Sequence, residues 1–508
     1  MTEMRRAGER GLLLEAPSLA GVMALHARLL AEPLAGQLDA VAAARTVLVT
    51  FQTARHARRA EAIIPVLEVP ENEVAAGRDI EIEVEYNGED LADVADMTGM
   101  SVAAVINAHT DTPWRAAFGG FAPGFAYLAD GDTRLQVSRR ETPRTHVPAG
   151  SVGLAGEFSA VYPRASPGGW RLIGRTDAAM WDQRRDSPAL VRPGDTVRFR
   201  AVRATTTIAS ATRAQRSAEP DMSAPDSAHG LQIDAPGPRS LVQDRGRPGH
   251  ADLGVTASGA ADTASALSAN RLVGNDRDAA VIESLLGGLT VTARGDQVLA
   301  LTGAIAGAHI GEEEIAFGSP FLLRNGETLT VGTPDHGLLT YVAVRGGIDV
   351  PAFLGSRSAD TLSGIGTPAL AAGQMLAVGS STAGAVGAPE EPATETRTLR
   401  VIPGPRTEWL PDGEFDAFLG MSWVVSDEVN RVGIRLESAA DGRALRRRQG
   451  ELPSEGMVRG AIQVPPSGMP VIFGPDHPVT GGYPVIAVVI DTDAAAQLRP
   501  GESIRFAV

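Results

Sequence analysis

Residues 192–199 read RPGDTVRF, and residues 499–506 read RPGESIRF. In each, a Pro-Gly turn leads into alternating apolar residues, the pattern of a strand with one buried face. Each octapeptide follows two blocks that recur in the same order: VPAGSVGLAG (147–156) with GGW (168–170), and VPPSGMPVIFG (464–474) with GGY (481–483). One Pro-Gly turn before a strand is common, but three ordered blocks favour a duplicated domain. We therefore predict that the two regions share one fold and that the two Gly-Gly-aromatic turns are equivalent.

The fold class predicted for the whole chain is mainly β, with an α+β N-terminal unit and several domains that include duplicated β-barrels. Short β runs broken by Gly and Pro continue from 118 to 199 and indicate a barrel or a sandwich, whereas residues 10–80 mix helical and strand patterns. The predicted domains are a small α+β domain (1–79), a barrel (80–202), a linker of small and polar residues (203–228) and a second barrel region (229–508) interrupted by a flexible stretch (380–396).

Composition limits the classes of function. The formal net charge of −15 disfavours non-specific binding to nucleic acid or to an anionic membrane. The chain has no cysteine, which excludes disulfides, thiolate zinc sites and a cysteine nucleophile. The N-terminal segment lacks the apolar core of a signal peptide, and no apolar run reaches about 18 residues. We expect a soluble cytoplasmic protein.

The chain also lacks lysine, since all 46 basic residues are arginine. Genome composition is the ordinary cause of such a bias, but its chemical consequence holds regardless. The protein has no P-loop lysine, no Schiff-base lysine and no lysine to carry covalent biotin. Arginine, backbone N–H groups or a metal must hold any phosphate or carboxylate, and the planar arginine fork binds oxyanions well.

Three motifs stand out in the first half: GGFAPGFAYL (119–128), TPRTHVPAGSVGLAG (142–156) and SPGGWRLIGRT (166–176). With these motifs, the first half resembles the B subunit of 5-oxoprolinase, an allophanate-hydrolase-like family that includes kinase inhibitors of the Kip type. The sequence departs from the family where Ser159-Ala160 stands in place of the usual Thr-Gly before Tyr-Pro.

The second half resembles the partner of that protein, the C subunit of 5-oxoprolinase. The motifs that carry this resemblance are VQDRGRPGHA (242–251), GVTASGAAD (254–262), ANRLVGN (269–275), LTGA (301–304), YVAVRGGIDVPAFLGSRSADT (341–361), NRVGIRL (430–436), SEGMVRGAIQVP (454–465) and DHPVTGGYP (476–484). Here Ser358-Ala359-Asp360 replaces the family's Ser-Thr-Asp. The chain as a whole resembles a fusion of the two proteins.

The resemblance implies cyclophilin-like barrels and an ATP-dependent hydrolase that converts 5-oxoproline, a small cyclic amide, into glutamate. It also implies a separate partner that resembles the A subunit of 5-oxoprolinase, and ATP with Mg²⁺; a homo-oligomer stays open. The same two modules form the carboxyltransferase part of urea carboxylase and urea amidolyase. The alternative is therefore a biotin-dependent carboxyltransferase module that takes biotin from another chain. A third alternative, a non-enzymatic regulator of a histidine kinase, is disfavoured by the complete half that resembles the C subunit.

Candidate binding residues in the first half lie in its Gly- and aromatic-rich motifs, where glycine admits a close ligand and aromatic rings form a flat wall. They are Gly120, Phe121, Gly124, Arg144, Ser166, Gly168, Gly169 and Trp170. On an extended strand, Arg144 and His146 point to one face, where His146 is a candidate acid or base. The alternatives are a barrel-rim turn and a solvated surface pair.

The second half adds catalytic candidates in Asp244, Asp476 and His477. Asp244 and Asp262 are candidates for holding Mg²⁺ or activating a nucleophile, although Asp beside Gly more often caps a turn. We expect Arg357 to pair with Asp360. The further binding candidates are Gln243, Arg247, Ser258, Asp262, Arg357, Gly481, Gly482 and Tyr483. No metal site is expected from histidine spacing, because HExxH and similar pairs are missing from the sequence.

Overall fold

The architecture comes from a computed structural model. It describes residues 3–69, 77–142, 144–203, 229–391, 397–439, 442–450 and 452–508. The predicted linker therefore lies almost wholly outside the described residues.

The N-terminal unit is a four-stranded antiparallel sheet covered by two helices. Its elements are β1 (Glu3–Arg6), β2 (Gly11–Glu15), α1 (Leu19–Ala31), β3 (Gln37–Ala42), β4 (Thr46–Phe51) and α2 (Ala54–Ile63), and the sheet order is β1-β2-β4-β3. The side chain of Ser18 accepts a hydrogen bond from the Gly21 N–H and caps the start of α1. Both helices pack on one face of the sheet. The other face, with Leu13 and Leu48, packs against Ala251 and Val479 of the second half.

The first barrel follows. Its elements are β5 (Asp79–Val84), α3 (Leu91–Thr98), α4 (Val102–Asp111), β6 (Trp114–Gly119), β7 (Ala126–Ala129), β8 (Arg144–Val147), β9 (Ser151–Ala155), β10 (Phe158–Val161), β11 (Ser166–Gly168), β12 (Arg171–Arg175) and β13 (Thr196–Ala201). Seven strands run in the order β12-β9-β10-β7-β6-β13-β5, and β8 and β11 form a separate ribbon. A bridge between Glu85 and Arg175 nearly closes the barrel.

A β-sandwich begins the second half. Its elements are β14 (Gly230–Pro236), β15 (Arg239–Gln243), α5 (Thr263–Leu272), β16 (Val281–Leu285), β17 (Leu289–Arg294), β18 (Gln297–Gly303), β19 (Ala308–Ile310), β20 (Glu313–Glu314), β21 (Pro320–Leu323), β22 (Thr328–Val331), β23 (Leu339–Val344) and β24 (Met375–Ala377). The two sheets, β20-β19-β22-β17-β14-β24 and β15-β16-β23-β18-β21, enclose one apolar core. Helix α5 packs on the outer face of the second sheet. Part of the predicted flexible stretch is bonded here, since Glu390 pairs with Arg271 of α5 at 2.6 Å.

The second barrel ends the chain. Its elements are β25 (Thr398–Pro403), α6 (Glu414–Gly420), β26 (Trp423–Val429), β27 (Gly433–Ser438), β28 (Glu455–Gly456), β29 (Ala461–Gln463), β30 (Val471–Phe473), β31 (Thr480–Gly481), β32 (Val485–Val489), α7 (Thr492–Ala496) and β33 (Ser503–Ala507). Seven strands close in the order β25-β32-β29-β30-β27-β26-β33, and β28 and β31 form a separate ribbon.

The two barrels have the same topology. The strand order of the first barrel, β12-β9-β10-β7-β6-β13-β5, corresponds strand by strand to the order β32-β29-β30-β27-β26-β33-β25 of the second barrel. Corresponding strands also follow one another in the same order along the chain. In each barrel the first and last strands, β5 and β13 or β25 and β33, form a parallel pair. The ribbons β8–β11 and β28–β31 are also equivalent, so the two Gly-Gly-aromatic turns lie at matching places. The predicted duplication of the barrels is confirmed.

Equivalent side chains support the same conclusion. The indole N–H of Trp114 donates to the carbonyl of His109 at 3.1 Å, and that of Trp423 donates to the carbonyl of Phe418 at 3.1 Å. His109 stacks on Phe199 with ring centroids 4.3 Å apart. Phe418 makes the matching stack on Phe506, at 4.7 Å.

Candidate active site between the two barrels

The loop between β6 and β7 joins the two halves of the chain. The backbone N–H of Phe121 donates to Thr480 Oγ1 at 3.2 Å, and that of Gly124 donates to the Leu253 carbonyl at 3.1 Å. A Cβ on Gly120 would lie 2.7 Å from Thr480 Oγ1, so glycine is required for this close approach. Gly120, predicted to admit a ligand, thus admits the second half of the chain.

Behind this loop stands an aromatic wall. Phe125 contacts Tyr127, Tyr162 and Trp170 edge-to-face, with ring centroids 5.1, 5.5 and 5.6 Å apart. Such contacts fix the rings in a rigid arrangement. Trp170, predicted from its Gly-Gly turn, is buried in this wall.

The two tyrosine hydroxyls of the wall are poised to donate hydrogen bonds. Burial raises the pKa of Tyr127, while the side chains of Ser454 and Thr480 of the second barrel, which lie near its hydroxyl, oppose part of that rise. Burial also raises the pKa of Tyr162 to about 12. Both phenols therefore stay protonated near neutral pH.

Arginines surround the tyrosines. Arg144 Nη2 donates to Asp90 Oδ1 at 2.8 Å and to Glu89 Oε2 at 3.1 Å, and Arg140 Nη1 donates to the same Asp90 oxygen at 2.8 Å. Burial alone would raise the pKa of Asp90, but the hydrogen bond and charge of Arg144 hold it below its ordinary value. The charge of exposed Arg139 opposes part of the rise that burial causes in the pKa of Tyr127 and of Tyr162, which places Arg139 near both hydroxyls.

Several polar atoms here are buried without a partner among the described residues. They are Arg140 Nε, Arg144 Nη1 and Ser166 Oγ. Arg144 and Ser166 lie on the paired strands β8 and β11. The backbone N–H of Arg140 donates to the Gly169 carbonyl at 2.8 Å. Unpartnered buried donors are rare in proteins, and here they offer hydrogen bonds to an anionic ligand.

The remaining predicted residues of this region lie around its rim. His146 is exposed on β8, beside half-buried Arg144. Gly168 leaves no room for a side chain, because a Cβ there would lie 2.3 Å from the Tyr162 hydroxyl. On the second barrel, the Tyr483 carbonyl accepts from Gln463 Nε2 at 2.9 Å, while the Tyr483 side chain is 44% exposed. The Tyr483 ring therefore lies at the surface beside the turn at 481–482.

Asp476 occupies a different place, inside the second half. It is fully buried, accepts from Arg431 Nε and Nη2 at 2.9 Å each and from Ser258 Oγ at 2.7 Å, and receives both the N–H and the hydroxyl of Thr361 at 2.8 Å. Burial would raise the pKa of Asp476, but the charge of Arg431 holds it below its ordinary value. Both oxygens are thus occupied, and the carboxylate is placed to hold Arg431 rather than to contact solvent.

The same buried network continues through Arg431 Nη1, which donates to Glu283 Oε1 at 2.6 Å. Glu283 Oε2 accepts from the Tyr341 hydroxyl at 2.8 Å, and that hydroxyl accepts from the Asp262 N–H at 2.7 Å. The network joins the sandwich to the second barrel. His477, which follows Asp476 in the chain, is half-buried. The Nδ1 atom of His477 lies 2.9 Å from the Pro478 carbonyl, and burial lowers the pKa of this histidine.

Asp262 and Asp244 act as caps. Asp262 Oδ1 accepts from the Ser265 N–H at 2.9 Å and begins α5. Asp244 Oδ1 accepts from the Ser356 and Ser358 hydroxyls at 2.6 and 2.5 Å and from the Gly246 N–H at 2.8 Å, and its Oδ2 accepts from the Arg357 N–H at 2.6 Å. The turn-cap alternative therefore describes both carboxylates.

Two other predicted residues of the second half, Gln243 and Arg247, donate hydrogen bonds to the segment 356–360, which also contacts Asp244. Gln243 Nε2 donates to the Ala359 carbonyl at 2.8 Å, and buried Arg247 donates to the Ser358 carbonyl. The predicted pairing of Arg357 with Asp360 is wrong. Arg357 pairs with Asp349 at 2.8 Å, because Asp360 Oδ1 accepts the backbone N–H groups of the turn that follows it.

The structure thus brings the first-half candidates and the turn at 480–483 together, and gathers the second-half candidates into a separate buried network. Tyr127, Arg139 and Thr480 were not singled out from the sequence, although the first lies within the 119–128 motif and the last directly precedes Gly481. Arg431 lies in the 430–436 motif, but only its contacts with partners 45 and 148 residues away reveal its place.

The two carboxylates predicted as Mg²⁺ ligands, Asp244 and Asp262, are not placed to hold a metal ion. No group of three His, Asp or Glu side chains within the described residues is placed to hold a metal ion. The Asp244 and Asp262 carboxylates accept hydrogen bonds from protein donors instead. None of the helices in the described ranges is long and apolar enough to cross a membrane.

Comparison with known proteins agrees with this architecture. The family model "Carboxyltransferase domain, subdomain C and D" matches residues 2–191, and "Carboxyltransferase domain, subdomain A and B" matches residues 253–508. Among curated proteins, the C subunit of the 5-oxoprolinase of Escherichia coli (strain K12) is 37% identical over 54% of this chain and 90% of its own length. The B subunit of the 5-oxoprolinase of Escherichia coli O157:H7 is 49% identical over 24% of this chain and 57% of its own length.

Solved structures extend the similarity over nearly the whole chain. The protein TTHA0988, known from a crystal structure, has 34% sequence identity with this chain. The match covers 98% of this chain and all of TTHA0988, with a TM-score of 0.84. The urea carboxylase of Kluyveromyces lactis is 28% identical, with a TM-score of 0.51 over 55% of this chain and 27% of that protein. The paired barrels and their matches define a carboxyltransferase-domain protein. The chain belongs to the family of the 5-oxoprolinase B and C subunits, as a fusion of a B-like and a C-like half.

Proposed function

We propose that this chain supplies the joined B and C components of an ATP-dependent 5-oxoprolinase and, with a separate protein that resembles the A subunit, converts 5-oxoproline into glutamate. The observation that carries this proposal is the position of Tyr127, whose hydroxyl lies among groups of both barrels, Ser454 and Thr480 included. A site assembled from both halves needs them in a one-to-one ratio. Fusion provides that ratio and raises the effective concentration of each half for the other.

The chemistry of the site suits a small cyclic amide that carries a carboxylate. The unpartnered donors on Arg140, Arg144 and Ser166 are available to a carboxylate. The edge-to-face packing of Tyr127 against Trp170 holds the Tyr127 hydroxyl at a fixed position for the substrate. The protonated tyrosines donate hydrogen bonds to the phosphoryl oxygens that the activated amide carries and so stabilise their negative charge.

An amide carbonyl is a poor electrophile, and ATP supplies its activation by phosphorylating the amide oxygen. Because the predicted Mg²⁺ ligands Asp244 and Asp262 are occupied by protein donors, we assign ATP and Mg²⁺ to the separate A-like protein. This chain's residues then bind the substrate, orient the activated carbonyl and shield it from bulk water.

A second candidate is a carboxyltransferase that acts on urea or another amide. The matches to carboxyltransferase subdomains and to a urea carboxylase favour it. Since the chain has no lysine, biotin would arrive on another protein.

The test is to mix the purified chain with an A-like protein encoded beside it and to measure glutamate released from 5-oxoproline. We expect release that needs both proteins, ATP and Mg²⁺. ATP-independent release, or none with an A-like protein that binds the chain, would contradict the proposal. Carboxyl transfer from a biotinylated carrier protein would instead support the second candidate.

A further inference from the structure

A second pocket lies between the sandwich and the second barrel, apart from the inter-barrel site. Its empty space is about 570 Å³ when the open solvent at its mouth is included. Its walls are largely apolar and are formed by Leu285, Leu338, Leu339, Val429, Ile434 and Ala496. None of the aromatic or arginine residues of the inter-barrel site lines it.

Three arginines also line this pocket, and two of them are held by protein partners. Arg431 pairs with Glu283 and Asp476. Arg459 Nη1 donates to the Ala260 carbonyl at 3.1 Å, and its Nη2 donates to the Ala261 carbonyl. These two guanidinium groups are therefore committed to the junction between the sandwich and the barrel.

Arg239 differs from both. It begins β15, is half-buried at the pocket wall, and makes no side-chain hydrogen bond or ion pair with any described residue. The nearby carboxylates, Glu283 and Asp476, are already bound by Arg431. A half-buried guanidinium beside an apolar pocket is stabilised when an anion enters and completes its hydrogen bonds.

We propose that this pocket binds a small organic anion with an apolar body. The oxyanion headgroup pairs with Arg239, and the body packs against the leucines of the sandwich and Val429 of the barrel. A carboxylate and a phosphate headgroup share the required chemistry, because the arginine fork accepts either bidentately. The site is independent of the proposed function, since its walls share no residue with the inter-barrel site.

The experiment is a calorimetric titration of the full chain with three eight-carbon probes: octanoate, octyl phosphate and octanol. We expect saturable binding of at least one anionic probe. Arg239→Gln should lower the affinity for the anions by about 10-fold or more and leave octanol unchanged, because only the charge-assisted hydrogen bonds are lost. Arg505→Gln, at an exposed arginine on β33, is the matched control and should bind like the wild type.

Ala496→Leu provides a second variant, because the added side chain occupies the pocket and should weaken all three probes. Circular dichroism checks that each variant is folded. If one anion, octanoate or octyl phosphate, binds more tightly and this preference is lost in Arg239→Gln, the result supports the proposal and identifies the headgroup. Equal anion affinities of Arg239→Gln and wild type, or no saturable binding of either anion to the wild type, would overturn it.

Discussion

Thr480 Oγ1 accepts the backbone N–H of Phe121 at 3.2 Å although the two residues are 359 positions apart in the chain. The same junction between halves is held by Asp39, which accepts the Ala251 N–H at 3.1 Å. Arg406 of the second barrel also pairs with Glu15 of the N-terminal sheet at 2.6 Å. These contacts make the inter-barrel site a product of both halves rather than of either barrel alone.

Cleavage of the chain within 204–228 is therefore expected to leave two fragments that stay together. The apolar contact of Leu13 and Leu48 with Ala251 and Val479 adds a hydrophobic component to the polar contacts. Limited proteolysis followed by size-exclusion chromatography should show both fragments in one peak at the mass of the intact chain. Fragments that elute separately while still folded would count against a shared site.

Removal of the Tyr127 hydroxyl should slow the reaction without unfolding the protein. If this phenol stabilises the negative charge on the phosphorylated amide, Tyr127→Phe should lower kcat by about 10²-fold, the effect of losing one donor to that charge. The ring keeps its contacts with Phe125 and Trp170, so the melting temperature should change little. Tyr483→Phe, at the exposed turn of the second barrel, is the matched control. Unchanged kcat in Tyr127→Phe would remove this residue from the mechanism.

The sequence predicts the barrels better than it predicts the site. Their duplication could be inferred because a strand-closing octapeptide such as RPGDTVRF carries local information, namely a turn and an alternating pattern. The place of Asp476 could not be inferred in this way, since its partners Arg431 and Ser258 lie 45 and 218 residues away. Long-range pairing of charges leaves no periodic trace in a sequence.

Asp476 should matter chiefly for stability. Asp476→Asn leaves buried Arg431 with Glu283 as its remaining carboxylate, and loss of one partner from a buried ion pair costs about 3–5 kcal/mol. We therefore expect a clear fall in the melting temperature of the second half. Asp182→Asn is the control, because Asp182 pairs with the highly exposed Arg184 and surface pairs contribute about 0–1 kcal/mol. Lost turnover with unchanged stability in Asp476→Asn would instead indicate a direct role in the reaction.

His109 should make the first barrel sensitive to acid. It is fully buried, with Nδ1 2.7 Å from the Tyr86 hydroxyl and Nε2 2.9 Å from the Ser159 hydroxyl, and burial lowers its pKa to about 3. An unfolded histidine has a pKa of about 6.5, so between these values the unfolded chain binds the extra proton. The stability contributed by neutral His109 is complete above about pH 6.5 and falls by about 1.4 kcal/mol per pH unit below it.

The variant that tests this is His109→Phe, because Phe418 occupies the equivalent place in the second barrel and stacks on Phe506 as His109 stacks on Phe199. The variant leaves two hydroxyls without their partner, so it starts less stable, but that deficit does not depend on pH in this range. Chemical denaturation of both proteins between pH 8 and 5 should show the wild type losing about 2 kcal/mol more than the variant. Parallel stability curves would mean that the folded barrel leaves the pKa of His109 at its ordinary value, which would contradict the prediction.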